Sequence, residues 1–351
     1  MTIASSEEHL PIALEAMGGD LGPSVAVSGA LKAARELGIK TLLVGHEDVL
    51  GELLREIPRD LRCLISVKHA PDVVTMEDSP SVALRRKPNS SIRVAFRAVV
   101  AGEARACISA GNTGAMMAAG MFECGTLAGV GRPAIAAMIP RRGKLCPCIF
   151  LDVGANVDCH SQQLLQFAVM GSAFASVAHG LAHPRVALLS NGSEVGKGTD
   201  VVRATAESLR SFSSLNFIGF AEGKDLVHDH ADVVVCDGFV GNAVLKAMEG
   251  TFKLVMGSIK DEVSTSTIAK LGMLLARPAL RQVKSRLDPE VHGGAPLLGL
   301  AKLGIVCHGS SSEWAFFNAI RVGHHFSKEC LIERLEAGLA AMGGGAAVEQ
   351  A

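Results

Sequence analysis

The 351-residue sequence predicts an α/β fold built on a mostly parallel sheet, and three observations carry that expectation. Short apolar runs alternate with helix-period segments through the first hundred residues. Aromatic residues are scarce, at 13 Phe, one Trp and no Tyr, which leaves the core to Ala, Val, Leu, Ile and Met and suits strands covered on both faces. At least five of the apolar runs end in glycine-bearing polar loops that open helices, the place where open α/β sheets hold ligands. The length fits about two domains or one extended unit. The expected organisation is a single unit over 1–342, with two interleaved subdomains as the alternative, a helical tip protruding at about 250–287 and a flexible tail over 343–351.

In chain order, Pro11–Met17 is a strand leading into Gly18-Gly19-Asp20-Leu21-Gly22-Pro23, and helix Ser24–Leu37 ends at Gly38. Strand Thr41–Val44, helix Glu47–Glu56 and strand Leu64–Lys68 continue the alternation. Val73–Asn89 breaks it, and Ser90 or Ser91 caps a helix that ends near Ala101. Strand Ala106–Ser109 runs into Ala110-Gly111-Asn112-Thr113-Gly114 and a helix over Ala115–Cys124. Ala134–Ile139 and Cys148–Leu151 read as two strands joined by a basic turn, and the polar cluster Asp152–Asp158 opens helix Ser161–Ser172. Strand Arg185–Ser190, helix Thr199–Ser211 and strands Phe217–Phe220 and Asp232–Cys236 follow, and Asp237 starts a helix running to about Lys260. Pro278 divides Ile268–Arg286 into two helices meeting at an apolar tip. Strand Ile305–His308 and helix Glu313–Leu339 close the fold.

Composition excludes several classes. A net charge of −1 gives no global pull toward nucleic acid, and the few aromatics give no base-stacking platform. Nine scattered cysteines without a pair of CxxC motifs argue against a zinc site and for reduced thiols in a cytoplasm. Residues 1–9 lack the basic start and apolar stretch of a signal peptide, and no apolar run is long enough to span a bilayer.

The glycine-bearing loops suggest a cleft lined by helix N-termini, whose N–H groups and dipoles favour an anion such as phosphate. They carry neither GxGxxG nor the Walker spacing, and no GxSxG elbow is present, so nicotinamide, ATP and serine-hydrolase chemistry lack their signatures. His308 stands at a strand end beside Ser310, as an acid/base, an oxyanion donor or a residue satisfied by local backbone. Lys197, between two glycines, is either a phosphate ligand or a solvated loop residue; Asn112 and Thr113 cap a helix, bind phosphate or do both. Asp152, Asp158 and Asp237 are Mg²⁺ candidates or loop-fixing groups, with Asn156 and Asn242 as their neighbours. Arg85-Arg86-Lys87 is a solvated basic knuckle or a contact for an acidic partner. The stretch with Lys270, Leu274, Leu275, Arg277 and Arg281 lies on a membrane, docks an acidic protein, or forms a dimer or core helix.

Several segments closely resemble one family. They are EAMGGDLGP (15–23), SVALRRKPNSSIRVA (81–95), SAGNTGAMMAA (109–119), LDVGANVDC (151–159), LLQFAVMGS (164–172), VVVCDGFVGNAVLK (233–246), GGAPLLGL (293–300) and HGSS (308–311). Together they resemble bacterial phosphate acyltransferase, the acyl-ACP:phosphate enzyme of phospholipid synthesis. The resemblance runs from about Ile12 to Arg321. It implies a three-layer α/β/α fold similar to isocitrate and isopropylmalate dehydrogenases, and a homodimer, cytoplasmic and peripheral on the inner face of the cell membrane. It also implies no nicotinamide, and hand-over of acyl phosphate to a membrane glycerol-3-phosphate acyltransferase. Two departures stand out: Glu15 where the family usually has Asp, and Ser193 in place of an acid.

In that reaction phosphate itself attacks the thioester of acylated acyl carrier protein, so no acyl-enzyme and no metal or cofactor is expected. Position assigns His308, Lys197 and Asn156 to catalysis, and Asp20, Asn112, Thr113, Gly114, Asp152, Asp158, Asn242 and Ser310 to substrate binding. Arg85, Arg86, Lys270, Leu274, Leu275, Arg277 and Arg281 would face the carrier protein or an anionic membrane surface. The competing expectations are a metal- and NAD-dependent decarboxylating dehydrogenase of the same fold, and a non-catalytic membrane adaptor for acyl-ACP.

Overall fold

The computed structural model describes residues 10–342 apart from 145 and 195. The expectations for the leader at 1–9 and the tail at 343–351 lie outside these residues. Seven strands form the first sheet: β1 (Ile12–Glu15), β2 (Thr41–Gly45), β3 (Ile65–His69), β4 (Ala106–Ser109), β5 (Ala134–Ile135), β11 (Ala295–Leu298) and β12 (Leu303–Val306). Their order is β3-β2-β1-β4-β12-β11-β5. Five more form the second: β6 (Ala137–Ile139), β7 (Cys148–Leu151), β8 (Val186–Leu189), β9 (Phe217–Ala221) and β10 (Val233–Val235), in the order β6-β7-β10-β8-β9. Pairing is parallel except at β11 and β6, which run antiparallel to their neighbours.

The helices are α1 (Pro23–Leu37), α2 (Glu47–Leu53), α3 (Arg59–Arg62), α4 (Pro80–Arg86), α5 (Ser91–Val100) and α6 (Thr113–Glu123) in the first part of the chain. Then come α7 (Ser161–His179), α8 (Asp200–Ser211), α9 (Gly238–Thr265), α10 (Thr267–Leu287), α11 (Glu313–Lys328) and α12 (Leu331–Met342). Because successive strand residues point to opposite faces, Ile149 and Leu151 enter one core and Phe150 the other. Each core runs across both sheets. One is covered by α1, α7, α8, α11 and α12, the other by α5 and α6, so the molecule is a three-layer α/β/α sandwich.

Two connections join the halves. The chain passes directly from β5 in the first sheet to β6 in the second, with Ala136 between them bonded to Pro296. At the C-terminus, α11 packs on α1 while α12 packs on α7. Phe174 of α7 and Phe326 of α11 meet edge to face at 5.3 Å between ring centres.

Several elements differ from expectation. The run Ala134–Ile139 is two strands of different sheets rather than one. Pro80–Arg86 is helical within the segment read as irregular, and β11 is a strand where none was expected. Pro278 sits inside a continuous α10, and the turn of the hairpin is at Ser266. The final helix breaks at Cys330, which has φ 52°. Neither serine before α5 acts as its side-chain cap; Ser91 instead donates to Glu15.

The amino ends of β8 and β10 are tied by a charge cluster. Asp232 accepts from Arg141 at 3.0 Å and from the backbone and side chain of Arg185, while Asp229 pairs with Arg185 and Lys144. Burial pushes the Asp232 carboxyl up, but its bonds to Arg185 and Arg141 outweigh this and hold it at about 2. Lys144 and Arg185 hold Asp229 at about 2 as well. The unfolded chain therefore binds protons more readily than the folded one, so this contribution is complete above about pH 4 and is lost as pH falls toward 2. Urea midpoints measured across that range should fall steeply for the natural chain and less steeply for Asp232→Asn.

Candidate active site

The carboxyl ends of β1, β4 and β12, which are neighbours in the first sheet, carry three loops, and one buried acid holds the first two together. Glu15 accepts from the N–H groups of Met17 (2.9 Å) and Gly18 (2.8 Å) and from the hydroxyls of Ser91 (2.7 Å) and Ser109 (2.9 Å). Ser109 Oγ in turn accepts from Gly111 N–H at 3.0 Å. The loops after β1 and β4 lie so close that a Cβ on Gly18 would stand 2.7 Å from Gly111 Cα. The third loop joins through Asp20, whose N–H donates to the Gly309 carbonyl at 2.7 Å and whose carboxylate lies against Gly309. Burial pushes the Glu15 carboxyl up, against the lowering effect of these donors.

Asp152 plays the same part in the second sheet. Its Oδ1 accepts from the N–H groups of Ile135 (3.0 Å), Gly154 (3.2 Å) and Ala155 (3.1 Å). Its Oδ2 accepts from the N–H of Asn156 at 2.7 Å and from Asn156 Nδ2 at 2.9 Å. Asn156 Nδ2 also donates to the Pro133 carbonyl, at 2.8 Å. The loop then receives α9. Gly238 N–H donates to the Asn156 carbonyl at 2.7 Å, and a Cβ on Gly241 would fall 1.8 Å from the Asp152 carbonyl oxygen, so only glycine allows this approach. Asn242 lies against Gly154. Burial raises the Asp152 carboxyl also.

The halves meet where α9 reaches the loop after β12. Lys246, one helical turn beyond Asn242, places its Nζ 3.0 Å from His308 Nε2 and 3.0 Å from Glu249 Oε2. His308 Nδ1 is 2.8 Å from Ser310 Oγ. The segment before α4 lies over this junction: Asn112 Nδ2 donates to the carbonyls of Met76 and Asp78, each at 3.1 Å, and Met76 abuts Gly309. Asp78, paired with Lys87 and bonded to Thr75, fixes that segment, and the Lys87 and Thr75 bonds lower its carboxyl.

His308 and Ser310 thus meet Lys246, Asp20 lies against the neighbouring Gly309, and Asn242, one turn before Lys246, lies against the Asp152 loop. Asp152 and Asn156 spend their polar atoms on that loop. Both hydrogens of the Asn156 amide are bonded inside the protein, so its amide acts on the wall of the cleft, not as a donor to a reacting oxygen. Asn112 caps α6 through Ala115 N–H and holds the Met76 segment, and Gly114 faces Pro80. Asp158 is exposed, and Lys197 lies along Gly192 within its own loop after β8. Arg85 and Arg86 are exposed in the last turn of α4, which packs beside α6. Among the described residues no group of three or more His, Cys, Asp or Glu could hold a metal ion. Lys246 was not picked out from the sequence because its partner is 62 positions away; its local signals were its one-turn spacing from Asn242 and its place at the end of the segment 233–246.

The sequence model of the family described as "Fatty acid synthesis protein" matches residues 10–334. A phosphate acyltransferase of Geotalea uraniireducens is 48% identical over 326 residues, covering 92% of both chains. One of Syntrophotalea carbinolica is 46% identical over 329 residues, covering 93% of this chain and 92% of its own. The chain belongs to the phosphate acyltransferase family. It is therefore an acyltransferase of lipid synthesis. Among solved structures, a phosphotransacetylase from Streptococcus pyogenes superposes with TM-score 0.60 at 18% identity, covering 95% of this chain and 100% of its own. A 4-hydroxythreonine-4-phosphate dehydrogenase from Klebsiella pneumoniae gives 0.52 at 12% identity, covering 91% of this chain and 99% of its own. These two bear on the fold alone, and they agree with the dehydrogenase-like sandwich expected from the sequence.

Replacing Asp152 by Asn turns an acceptor toward the Asn156 donors into a donor. The change should destabilise the protein by about 1–3 kcal/mol, read from urea unfolding, and loosen the start of α9 in amide exchange.

Proposed function

We propose that the chain transfers a fatty acyl group from acylated acyl carrier protein to inorganic phosphate, giving acyl phosphate for phosphatidic acid synthesis. The observation that carries this reading is the junction where Lys246 of α9 meets His308 and Ser310 in the loop after β12, in a chain of this family. Helices α1, α6 and α11 begin beyond those loops, and their N-terminal dipoles favour an anion there. A phosphate oxygen attacks the thioester carbonyl; a C–O bond forms, the C–S bond breaks, and the proton carried by phosphate ends on the departing sulfur. Positioning two anionic reactants and stabilising the developing oxyanion are the tasks left to the protein.

In this reading His308 and Ser310 stand nearest the reacting groups, with Asp20, Asn112, Thr113, Gly114 and Asn242 shaping their surroundings. Asp152 and Asn156 hold the wall, Asp158 lies at its rim, and Lys197 adds positive charge from the loop after β8. Arg85 and Arg86 face the acidic carrier protein. The α9–α10 hairpin supports a membrane-facing role. Ile268, Leu271, Leu274 and Leu275 are each at least 60% exposed, and Lys270, Arg277 and Arg281 line an open groove of about 460 Å³ between the helices. No described helix is long and apolar enough to cross a membrane. A homodimer, resting on the inner membrane face from the cytoplasm and delivering acyl phosphate to a glycerol-3-phosphate acyltransferase, completes the proposal.

The purified chain should release free thiol from acyl-ACP only when phosphate is added; thiol release independent of phosphate would remove the reading. Replacing Leu274 and Leu275 together with Glu should abolish sedimentation with anionic lipid vesicles while thiol release in solution continues. Undiminished vesicle binding would make the hairpin's apolar face a protein contact.

A further inference from the structure

We infer that Lys246, a residue outside the set picked out from the sequence, is the cation that binds the attacking phosphate, with His308 as the residue that positions it. The inference rests on the acyl-to-phosphate reading and names the ligand that carries the anion.

An ammonium has three N–H donors and no acceptor. In Lys246 one donor is directed at Glu249 Oε2 and one at His308 Nε2, both at 3.0 Å. The third has no partner among the described residues, and the side chain is 47% exposed, so it remains available to a ligand. His308 Nε2 faces the ammonium at 3.0 Å, and Ser310 holds the other side of the ring, with its hydroxyl 2.8 Å and its backbone N–H 3.2 Å from Nδ1. The chain Glu249–Lys246–His308–Ser310 therefore fixes the ammonium from two sides, and it does so across the junction between the halves.

The charges around it make a full cation necessary. Asp20 lies against Gly309, and Glu249 lies on α9 beside Lys246; both oppose an incoming phosphate. The dipole of a helix N-terminus, about half a charge, is weaker than one full cation. Lys197 is folded on Gly192, whereas Lys246 is held at His308, in the loop after β12. His308 does not need to touch phosphate in this arrangement. Its task is to keep the Lys246 nitrogen in place.

The test is phosphate saturation of thiol release at saturating acyl-ACP, on the full chain. Losing a charged hydrogen bond, Lys246→Met should raise the phosphate KM roughly 10- to 100-fold, while the KM for acyl-ACP stays put. Lys246→Arg should recover part of the loss. His308→Ala should raise the phosphate KM by a smaller factor, and His308→Gln, whose amide oxygen can accept from the ammonium, should restore most of it.

Thermal melting with and without inorganic phosphate supplies a second readout that needs no turnover. Phosphate should raise the melting temperature of the natural chain and of Lys246→Arg, and leave Lys246→Met unmoved. An unchanged phosphate KM in Lys246→Met overturns the inference. So does a loss confined to kcat or to the acyl-ACP KM, or a phosphate defect found in Lys197→Ala in its place. A natural chain that releases no thiol, but is stabilised by phosphate through Lys246, sinks the acyl-transfer reading and leaves the anion site standing.

Discussion

Two buried carboxylates hold the cleft together. Burying an ionised acid is costly unless hydrogen-bond donors surround it, and the donors closest to hand are the N–H groups of the loop that follows. Glu15 and Asp152 each end a strand, one in each sheet, and each gathers the next turn of backbone around itself. The glycines of these loops let backbone approach the acid and its neighbours. Gly18 against Gly111, and Gly241 against Asp152, are positions where a side chain has no room. Glu for Asp at position 15 is then a matter of reach, since the longer side chain spans from β1 to hydroxyls on α5 and β4.

Strands and polar loops were legible in the sequence wherever an apolar run stood between turn signals, and that covers most of the parallel strands. The failures have physical reasons. Ala134–Ile139 has the composition of one strand, but Ala136 lies between two sheets, a fact set by partners far away in the chain. The strand Ala295–Leu298 is short, opens after two glycines at positive φ and contains Pro296, so its local sequence argues against it. Pro278 is a reliable breaker in isolation, yet α10 continues through it on the hairpin.

Residue type and place at a strand's end singled out His308, Ser310, Asp20 and Asn242, and the fold sets the first two at Lys246, Asp20 against Gly309 and Asn242 against Gly154. They were not enough to separate groups that face outward from groups consumed in holding the loops. Asn112 and Asn156 look like ligands in the sequence, and their amides turn out to be spent on backbone carbonyls and on Asp152. Lys246 shows the converse. A lysine on a long amphipathic helix carries no mark of function until the fold brings a histidine to it.

The passage from β5 to β6 also limits how the molecule can move. On one side of Ala136, Ile135 pairs with Leu297 and accepts from Val153; on the other, Ala137 pairs with Phe150. A hinge opening the halves like a clam shell would have to tear backbone bonds on both flanks of a single residue. Any opening therefore falls to smaller parts. The Met76 segment lies outside both sheets, held to α6 through Asn112 and to Lys87 through Asp78, so it is not bound by the backbone pairing that locks the two halves.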